Sequence, residues 1–375
     1  MDGILFLILG LFGLLLLFLW FGTDHKVTVH NWNLIWAFPT HIIAAILLFK
    51  KKRSVNTGYY FLFNGIVVLI FTACISVLPQ EINMAIIPLL LLIILRSFVL
   101  YYKITKKKKL LPNMNLEHLC LEVISLTKEV RNFIKHELEN FDLSKIEHKG
   151  KNDLVSYVDK QSETLLVKGL KDILPEAGFI TEEATISREE KTYTWIIDPL
   201  DGTTNFLHKV PSFSISVGLM TEGRIIVGVV HEVNLNECFY AWEEGGAYLN
   251  GTRIFVNANS KLEESLIGTG FPYSLLDKTD VYFEIIKEFV KKTHGVRRLG
   301  SAAVDLAYVA CGRFDGYFEF NLKIWDIAAG VLLVKEAGGT VTDFNGGNDY
   351  LSGKEILACG KAFEEISTVI KQRWN

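Results

Sequence analysis

Four long apolar segments lie within the first 102 residues, and they restrict the fold of this chain more than any other feature. They cover residues 4–21, 32–49, 59–78 and 82–102. As helices, these segments are long enough to cross the ~30 Å hydrocarbon layer of a bilayer. Arg96 is the only Asp, Glu, Lys or Arg inside them, so they lack the polar stripe of a helix that packs onto a soluble core. The sequence therefore predicts an all-α transmembrane domain of four helices in residues 1–110.

The basic residues between these segments predict how the domain is oriented. Residues 50–53 and 103–109 carry most of the lysines and arginines of this region. With four spans, these two segments and the N-terminus lie on one side of the membrane. Because positively charged loops stay in the cytoplasm, we predict a multi-pass integral membrane protein in which the N-terminus and the chain after residue 110 are cytoplasmic.

The charge of the chain changes sign after the apolar segments. Residues 1–110 contain 11 Lys and Arg against 3 Asp and Glu, whereas residues 111–375 contain 28 against 39. The acidic excess of the second part disfavours a nucleic-acid partner. The five cysteines are scattered and form no CxxC pair, which argues against a disulfide framework and a zinc site. We predict one globular domain in residues 111–375.

Apolar periodicity predicts the elements of that domain. The predicted helices cover residues 115–141, 158–170, 280–292, 302–311 and 327–337. The predicted strands cover residues 194–197, 213–220, 225–233, 238–242 and 255–256. Because helices and strands alternate along the chain, the pattern indicates an α/β layered sandwich.

The most specific motif is the sequence WIIDPLDGTTNF at residues 195–206. We predict that a strand ends at Asp198, that Pro199 and Leu200 turn the chain, and that Asp201 then faces the same point as Asp198. Two carboxylates and a backbone carbonyl suit a hard divalent cation, and the N–H groups of a following helix start suit a phosphate. An Asp turn before a capped helix explains the same spacing equally well.

Two further acidic sites accompany this motif. Glu182 and Glu183 follow the apolar residues 178–180, and Asp326 lies beside Trp325 at the start of an apolar helix. A solvated surface pair would explain the two glutamates, and an N-cap residue would explain Asp326.

These three motifs, in this order, resemble the inositol monophosphatase family of Mg²⁺-dependent phosphatases over residues 114–375. The resemblance implies a five-layered αβαβα sandwich and a role for each matching position. The implied metal ligands are the carboxylates of Glu182, Asp198, Asp201 and Asp326 and the backbone carbonyl of Leu200. The implied catalytic groups are Glu182 and the water-orienting hydroxyl of Thr203, with Asp159 as its partner. The implied phosphate and substrate contacts are Gly202, Thr203, Thr204, Ser301, Ala302 and Glu319.

The reaction that the resemblance implies is direct hydrolysis of a small phosphate monoester by water, with two or three Mg²⁺ ions in the site. Nucleotidase relatives usually carry Lys at the position of Thr204, so this residue favours inositol-1-phosphate or a similar sugar or polyol phosphate. Fructose-1,6-bisphosphate, histidinol phosphate and 3′(2′),5′-bisphosphate nucleotides stay open as substrates. The family commonly dimerises, so a homodimer is a further expectation.

Two other classes of protein make different predictions. A membrane-anchored pseudoenzyme that senses metabolites would be expected to lose a metal carboxylate, whereas this chain keeps all four. A transporter with a regulatory phosphatase-like domain would be expected to carry several polar residues inside its spans, whereas these segments carry one charge, Arg96. Both classes are therefore disfavoured.

Overall fold

A computed structural model describes residues 114–140, 146–150, 153–271, 278–352 and 355–374. The four apolar segments and the basic segments 50–53 and 103–109 lie outside these residues. Among the helices of the described ranges, none combines the length and the hydropathy that a membrane span requires.

A small hairpin and a large mixed sheet form the first half of the domain. The hairpin pairs β1 (Ile146–Gly150) with β2 (Asp153–Ser156). The sheet contains β3 (Gly178–Thr181), β4 (Tyr193–Asp201), β5 (Ser214–Thr221), β6 (Arg224–Glu232), β7 (Glu237–Trp242), β8 (Gly246–Leu249) and β9 (Thr252–Ile254), in that order. β3 and β4 are parallel, and the other neighbours are antiparallel. β5 and β6 are buried almost throughout, as expected when both faces of a sheet are covered.

A smaller mixed sheet forms the second half. It contains β10 (Leu266–Thr269), β11 (Gly295–Arg297), β12 (Gly316–Phe320), β13 (Thr340–Thr342) and β14 (Glu355–Cys359). The spatial order is β11-β10-β12-β14-β13, so the chain crosses over between neighbours. β10 runs parallel to both of its neighbours, whereas β14 runs antiparallel to both of its own.

Helices complete the layers around the two sheets. They are α1 (Leu116–Asn140), α2 (Tyr157–Ile173), α3 (Thr203–Leu207), α4 (Thr279–Lys292), α5 (Ala302–Ala310), α6 (Ile324–Glu336) and α7 (Phe363–Trp374). α1 and α2 pack on the larger sheet, α5 and α6 lie between the sheets, and α4 and α7 pack on the smaller sheet. This order of layers is the αβαβα sandwich that the resemblance implies.

The layer between the sheets is the largest apolar core, and α5 and α6 form its centre. Both helices are largely apolar, and α5 is buried almost completely while α6 is buried over residues 327–334, as expected for helices covered on two sides. Gly330 lets them approach closely, because a Cβ atom there would lie 2.5 Å from the Cβ of Leu306. The same layer carries the N-termini of α5 and α6 to the end of β4.

Three predicted boundaries are wrong. The strand predicted to end at Asp198 continues as β4 to Asp201, with a register shift between these two residues against β5. The helix predicted to begin at residue 327 begins at Ile324, so Asp326 is its third residue and not the N-cap. The strand predicted at 255–256 lies at Thr252–Ile254, where the residues pair with β8. The other helices and strands predicted between residues 115 and 337 are confirmed within a few residues.

Candidate active site

The end of β4 brings Asp198 and Asp201 together. Residues three apart in a regular strand point to opposite faces. Here the register shift between them acts as a bulge, which re-aims the side chains that follow it. Asp198 is only 2% exposed and accepts a hydrogen bond of 3.0 Å from the backbone N–H of Leu200. The bulge also explains how Pro199 fits inside a central strand, because the ladder is interrupted at that point.

Glu182 and Asp326 join this pair from two other elements. Burial, and then the negative charges of Glu182, Asp201 and Asp326, raise the pKa of Asp198 well above its usual value. A hydrogen bond between the side chains of Asp198 and Glu182 also contributes to raising the pKa of Asp198. Asp326 accepts a hydrogen bond of 2.6 Å from the backbone N–H of Lys323 at the start of α6. Burial, and then the charge of Asp201, raise the pKa of Asp326 to about 8.

The N-terminus of α5 holds Asp201. Its Oδ2 accepts hydrogen bonds of 2.7 Å from the hydroxyl of Ser301 and from the backbone N–H of Ala303, and the N–H of Ala302 also donates to the carboxylate. A carboxylate at a helix N-terminus is favoured by the helix dipole. Burial nevertheless raises the pKa of Asp201 to about 6. Ser301 and Ala302, which we expected to line the substrate pocket, therefore bind a candidate metal ligand.

Thr203 and Asp159 form a second pair beside the carboxylates. The Thr203 hydroxyl lies 2.8 Å from Oδ1 of Asp159 and 3.1 Å from the carbonyl of Leu200, so it donates best to Asp159. Oδ2 of Asp159 accepts from the backbone N–H and the hydroxyl of Ser156, at 2.8 and 2.6 Å. Asp159 is fully buried at the start of α2. Burial raises its pKa, although these hydrogen bonds oppose the shift.

Glu319 lies on β12, close enough to Asp201 for the charge of Asp201 to raise its pKa. Its carboxylate accepts a hydrogen bond from the Tyr317 hydroxyl and lies against Gly270, where a Cβ atom would be 2.0 Å from it. Burial raises the pKa of Glu319 to about 7, opposed by the Tyr317 hydrogen bond and the positive charge of Arg298. The predicted pocket residue thus shares one electrostatic environment with the predicted metal ligands.

The predicted phosphate-binding residues follow directly after β4. Gly202 is the N-cap of the short helix α3 and has a φ of +99°, a conformation that glycine adopts without strain. A side chain there would also meet the carbonyl of Gly300 at 3.2 Å. No side chain caps α3, and Thr204 is exposed. The first-turn N–H groups of a helix have no intrahelical acceptor, so they suit an anionic group.

The candidate ligands are oxygen atoms, which are the ligands that a hard divalent cation prefers. Four carboxylates lie close enough for their charges to raise the pKa of Asp198, which is buried, while Glu182, Asp201 and Asp326 are half-buried. A cation would neutralise this repulsion. Within the described ranges, no group of three or more His, Cys, Asp or Glu side chains has the geometry of a metal-ion site. Like charges repel, so we expect these carboxylates to draw closer around a cation.

Sequence reasoning missed four polar residues of this region: Ser156, Glu163, Arg298 and Asp305. Ser156 and Glu163 flank Asp159 on the chain, and Glu163 is four residues further along the same helix face, a spacing that the sequence displays. Asp305 is buried, and its Oδ1 has no hydrogen-bond partner in the part of the chain that the structure describes. Burial, and then the charges of Glu319 and Asp201, raise the pKa of Asp305 well above its usual value. No sequence motif marks Asp305 or Arg298.

Comparison with known families decides the identity of the domain. The sequence profile of the inositol monophosphatase family matches residues 116–375. The chain belongs to this family. A second profile, described as the Lnb transmembrane domain, matches residues 1–108 and supports a transmembrane domain there. That this domain has four helices remains a prediction.

Individual relatives agree with the inositol monophosphatase assignment. The Nus factor SuhB of Pseudomonas aeruginosa is 41% identical over 244 residues, which are 64% of this chain and 90% of that protein. The inositol-1-monophosphatase of Mesorhizobium japonicum is 41% identical over 223 residues, which are 59% of this chain and 83% of that protein. The crystal structure of the extragenic suppressor protein suhB from Bartonella henselae is 37% identical, with a TM-score of 0.64, and the match covers 67% of this chain and 97% of that one. This inositol monophosphatase family member is a phosphatase, a hydrolase of phosphoric monoesters.

Proposed function

We propose that this chain is a membrane-anchored, Mg²⁺-dependent phosphatase that hydrolyses inositol-1-phosphate or a similar polyol or sugar monophosphate. The observation that carries the proposal is the hydrogen-bonded series Ser156–Asp159–Thr203 beside the four carboxylates. A site that only bound a metal would have no need of a buried carboxylate that accepts from a threonine hydroxyl at its edge.

The residues of this series can prepare water for attack on a phosphate. The Thr203 hydroxyl donates its proton toward Asp159, so its lone pairs remain to accept a hydrogen bond from water. Ser156 keeps Asp159 from rotating, because it binds the second carboxylate oxygen twice. As water loses a proton to Thr203, the threonine proton moves to Oδ1 of Asp159, whose raised pKa favours its uptake.

Glu182, Asp198, Asp201 and Asp326, with the Leu200 carbonyl, would hold Mg²⁺. Bound Mg²⁺ would lower the pKa of water and neutralise charge on the phosphate and the leaving oxygen. The acidic excess of this domain makes such neutralisation necessary, because a domain rich in carboxylates repels a phosphate monoester.

The surroundings of Glu319 support a polyol as the leaving group. A carboxylate accepts hydrogen bonds from hydroxyl groups, and Glu319 is fixed by Tyr317 and by its contact with Gly270. Thr204 supplies an exposed hydroxyl and no positive charge at the edge of the phosphate site. Bisphosphate nucleotides are disfavoured as substrates, because position 204 carries no lysine that could bind a second phosphate.

The N-terminal part gives the enzyme its location. The match to the Lnb transmembrane domain and the basic segments 50–53 and 103–109 support an anchor that leaves the phosphatase domain on the cytoplasmic face. A fluorescent protein fused after residue 375 should fold and fluoresce in intact cells. A C-terminal fusion that becomes active only on the outer side of the membrane would contradict this orientation.

The function is tested by phosphate release from the purified full-length chain in detergent, with and without Mg²⁺. The substrates are inositol-1-phosphate, fructose-1,6-bisphosphate, histidinol phosphate and 3′-phosphoadenosine-5′-phosphate. We expect Mg²⁺-dependent release from inositol-1-phosphate in excess of the other three. The Asp201→Asn variant should lose this release, because it removes one ligand charge.

Asp315→Asn is the matched control. Asp315 is also a buried aspartate that accepts a hydrogen bond from a backbone N–H, that of Leu266 at 2.8 Å, but it lies directly before the start of β12, at the opposite end of that strand from Glu319. This control should keep its activity if it stays folded. A folded wild-type chain that binds Mg²⁺ and releases phosphate from none of the four substrates would contradict the proposal and favour the metabolite-sensing alternative.

A further inference from the structure

Glu163 is a fully buried glutamate on α2 that the proposed reaction does not use. Its carboxylate accepts three hydrogen bonds of 2.7 Å from the loop that follows β3. Oε2 binds the backbone N–H of Glu183, and Oε1 binds both the backbone N–H and the hydroxyl of Thr185. These donors come one and three residues after Glu182, so a buried side chain on the helix binds the backbone beside a candidate metal ligand.

The loop needs this support because its backbone is strained at that point. Ala184, between the two residues that Glu163 binds, has a φ of +51°. A residue with a Cβ atom adopts this left-handed conformation at a cost and keeps it only when the surroundings enforce it. Glu163 binds the chain on both sides of Ala184, which is the position from which a carboxylate can hold the strained residue in place.

The two ends of the loop are fixed by the sheet, and its middle is not. At the start, the N–H of Glu182 donates to the carbonyl of Ile197 at 3.2 Å. At the end, Phe179 and Glu189 exchange two backbone hydrogen bonds, at 2.7 and 3.0 Å. Residues 183–188 between these points form no helix or strand. Glu163 therefore supplies three contacts inside this loop, to the residues that directly follow Glu182.

We propose that Glu163 is a positioning residue that aims the carboxylate of Glu182 at the metal site through the backbone of residues 183–185. The inference rests on the proposed function, because it assumes that Glu182 binds Mg²⁺. One helix would then place both parts of the reaction. Asp159 in its first turn positions Thr203, and Glu163 one turn later positions Glu182.

The test is the Mg²⁺ affinity of the full-length Glu163→Gln variant in detergent, measured by calorimetry. Glutamine keeps the size of the side chain, but its amide N–H₂ would face a backbone N–H and cannot accept from it. We expect the dissociation constant for Mg²⁺ to rise by about tenfold or more, which is typical when a group that orients a metal ligand is lost. The kcat at saturating Mg²⁺ should fall much less, because Thr203 and Asp159 are untouched.

Glu336→Gln is the matched control. Glu336 is also a helical glutamate whose two oxygens accept from loop N–H groups, those of Glu244 and Gly246, each at 2.9 Å. Both variants should lose thermal stability, whereas only Glu163→Gln should lose Mg²⁺ affinity. Thr185→Val, which removes one of the three hydrogen bonds and keeps the carboxylate, should weaken Mg²⁺ binding by a smaller factor and serves if Glu163→Gln does not fold.

Equal Mg²⁺ affinity in wild type, Glu163→Gln and Thr185→Val would overturn the inference, as would a wild-type chain that binds no Mg²⁺. An equal loss of affinity in Glu336→Gln would also overturn it, because the effect would then be one of general stability. A selective loss of affinity together with no phosphate release from the wild type would support the inference and contradict the proposed function.

Discussion

On one side of the site, Asp201 lies at the start of α5, where two backbone N–H groups and the Ser301 hydroxyl bind its carboxylate. We call this side, with Asp326 at the start of α6, the helix flank. On the other side, Glu182 lies in an irregular loop whose backbone depends on Glu163. We call this side the loop flank. The helix flank uses hydrogen-bond donors that any helix start supplies, whereas the loop flank uses one buried side chain.

This difference predicts different sensitivity to mutation. Backbone N–H groups remain when a side chain is replaced, so the helix flank should tolerate the loss of a single side-chain donor. The contacts of the loop flank depend on a side chain, because both oxygens of Glu163 bind the loop and the strained Ala184 lies between these contacts. We therefore expect substitutions on the loop flank to weaken Mg²⁺ binding more than substitutions on the helix flank.

The largest expected effect lies between the two flanks, at Thr203. Thr203→Val keeps the shape of the side chain and removes the hydroxyl that donates to Asp159. We expect kcat to fall by about 100-fold or more, the size of a lost proton-transfer group, with Mg²⁺ affinity nearly unchanged. Steady-state kinetics at saturating Mg²⁺ measure the first quantity, and calorimetry measures the second.

Thr221→Val is the control for this substitution. Thr221 is a buried threonine at the far end of β5, and its hydroxyl has no hydrogen-bond partner within the described residues. Its replacement should leave kcat unchanged. A fall in Mg²⁺ affinity equal to the fall in kcat of Thr203→Val would show that the hydroxyl belongs to metal binding and not to the attack of water.

A smaller effect is expected on the helix flank. Ser301→Ala removes one donor to Asp201 and leaves the N–H groups of Ala302 and Ala303 in place. The Mg²⁺ dissociation constant should rise by less than about tenfold, and by less than in Glu163→Gln. Calorimetry of both variants under the same conditions compares the flanks directly. If Ser301→Ala weakens binding more than Glu163→Gln, the comparison between the flanks is wrong.

The smallest effect is a dependence of stability on pH in the Mg²⁺-depleted protein. Burial raises the pKa of Asp201 to about 6 and that of Asp326 to about 8. A carboxyl group with a raised pKa favours folding in its neutral form, and this contribution is lost as pH rises through the folded pKa. We therefore expect the melting temperature in a chelator to fall by a few degrees between about pH 5 and about pH 8.

Added Mg²⁺ should remove this fall, because a cation stabilises the ionised carboxylates. Asp326→Asn should make the melting temperature in a chelator less dependent on pH. Differential scanning calorimetry measures both. A melting temperature that rises with pH in the chelator would contradict the account of the helix flank.

The resemblance to the inositol monophosphatase family predicted the ligand set, because the residues that carry it lie in motifs with fixed local spacing. These motifs could not predict the bulge between Asp198 and Asp201, since a register shift depends on pairing with β5. They also could not show that Ser301 binds Asp201 across 100 residues of chain. The role of Glu163 could have been suspected, because its spacing from Asp159 on a predicted helix places two acidic side chains on one face. The sequence did not show whether that face is buried or exposed to solvent.

The central claim is that the carboxylates of both flanks form one Mg²⁺ site. Calorimetric titration of Mg²⁺ into the full-length wild type and Asp198→Asn tests it most directly, because Asp198 is the buried residue that the other three charges surround. The account predicts saturable binding in the wild type, with release of protons because a cation favours the ionised form of carboxyl groups whose pKa is raised. It predicts loss of that binding in a folded Asp198→Asn. Unchanged Mg²⁺ affinity and proton release in Asp198→Asn would contradict it.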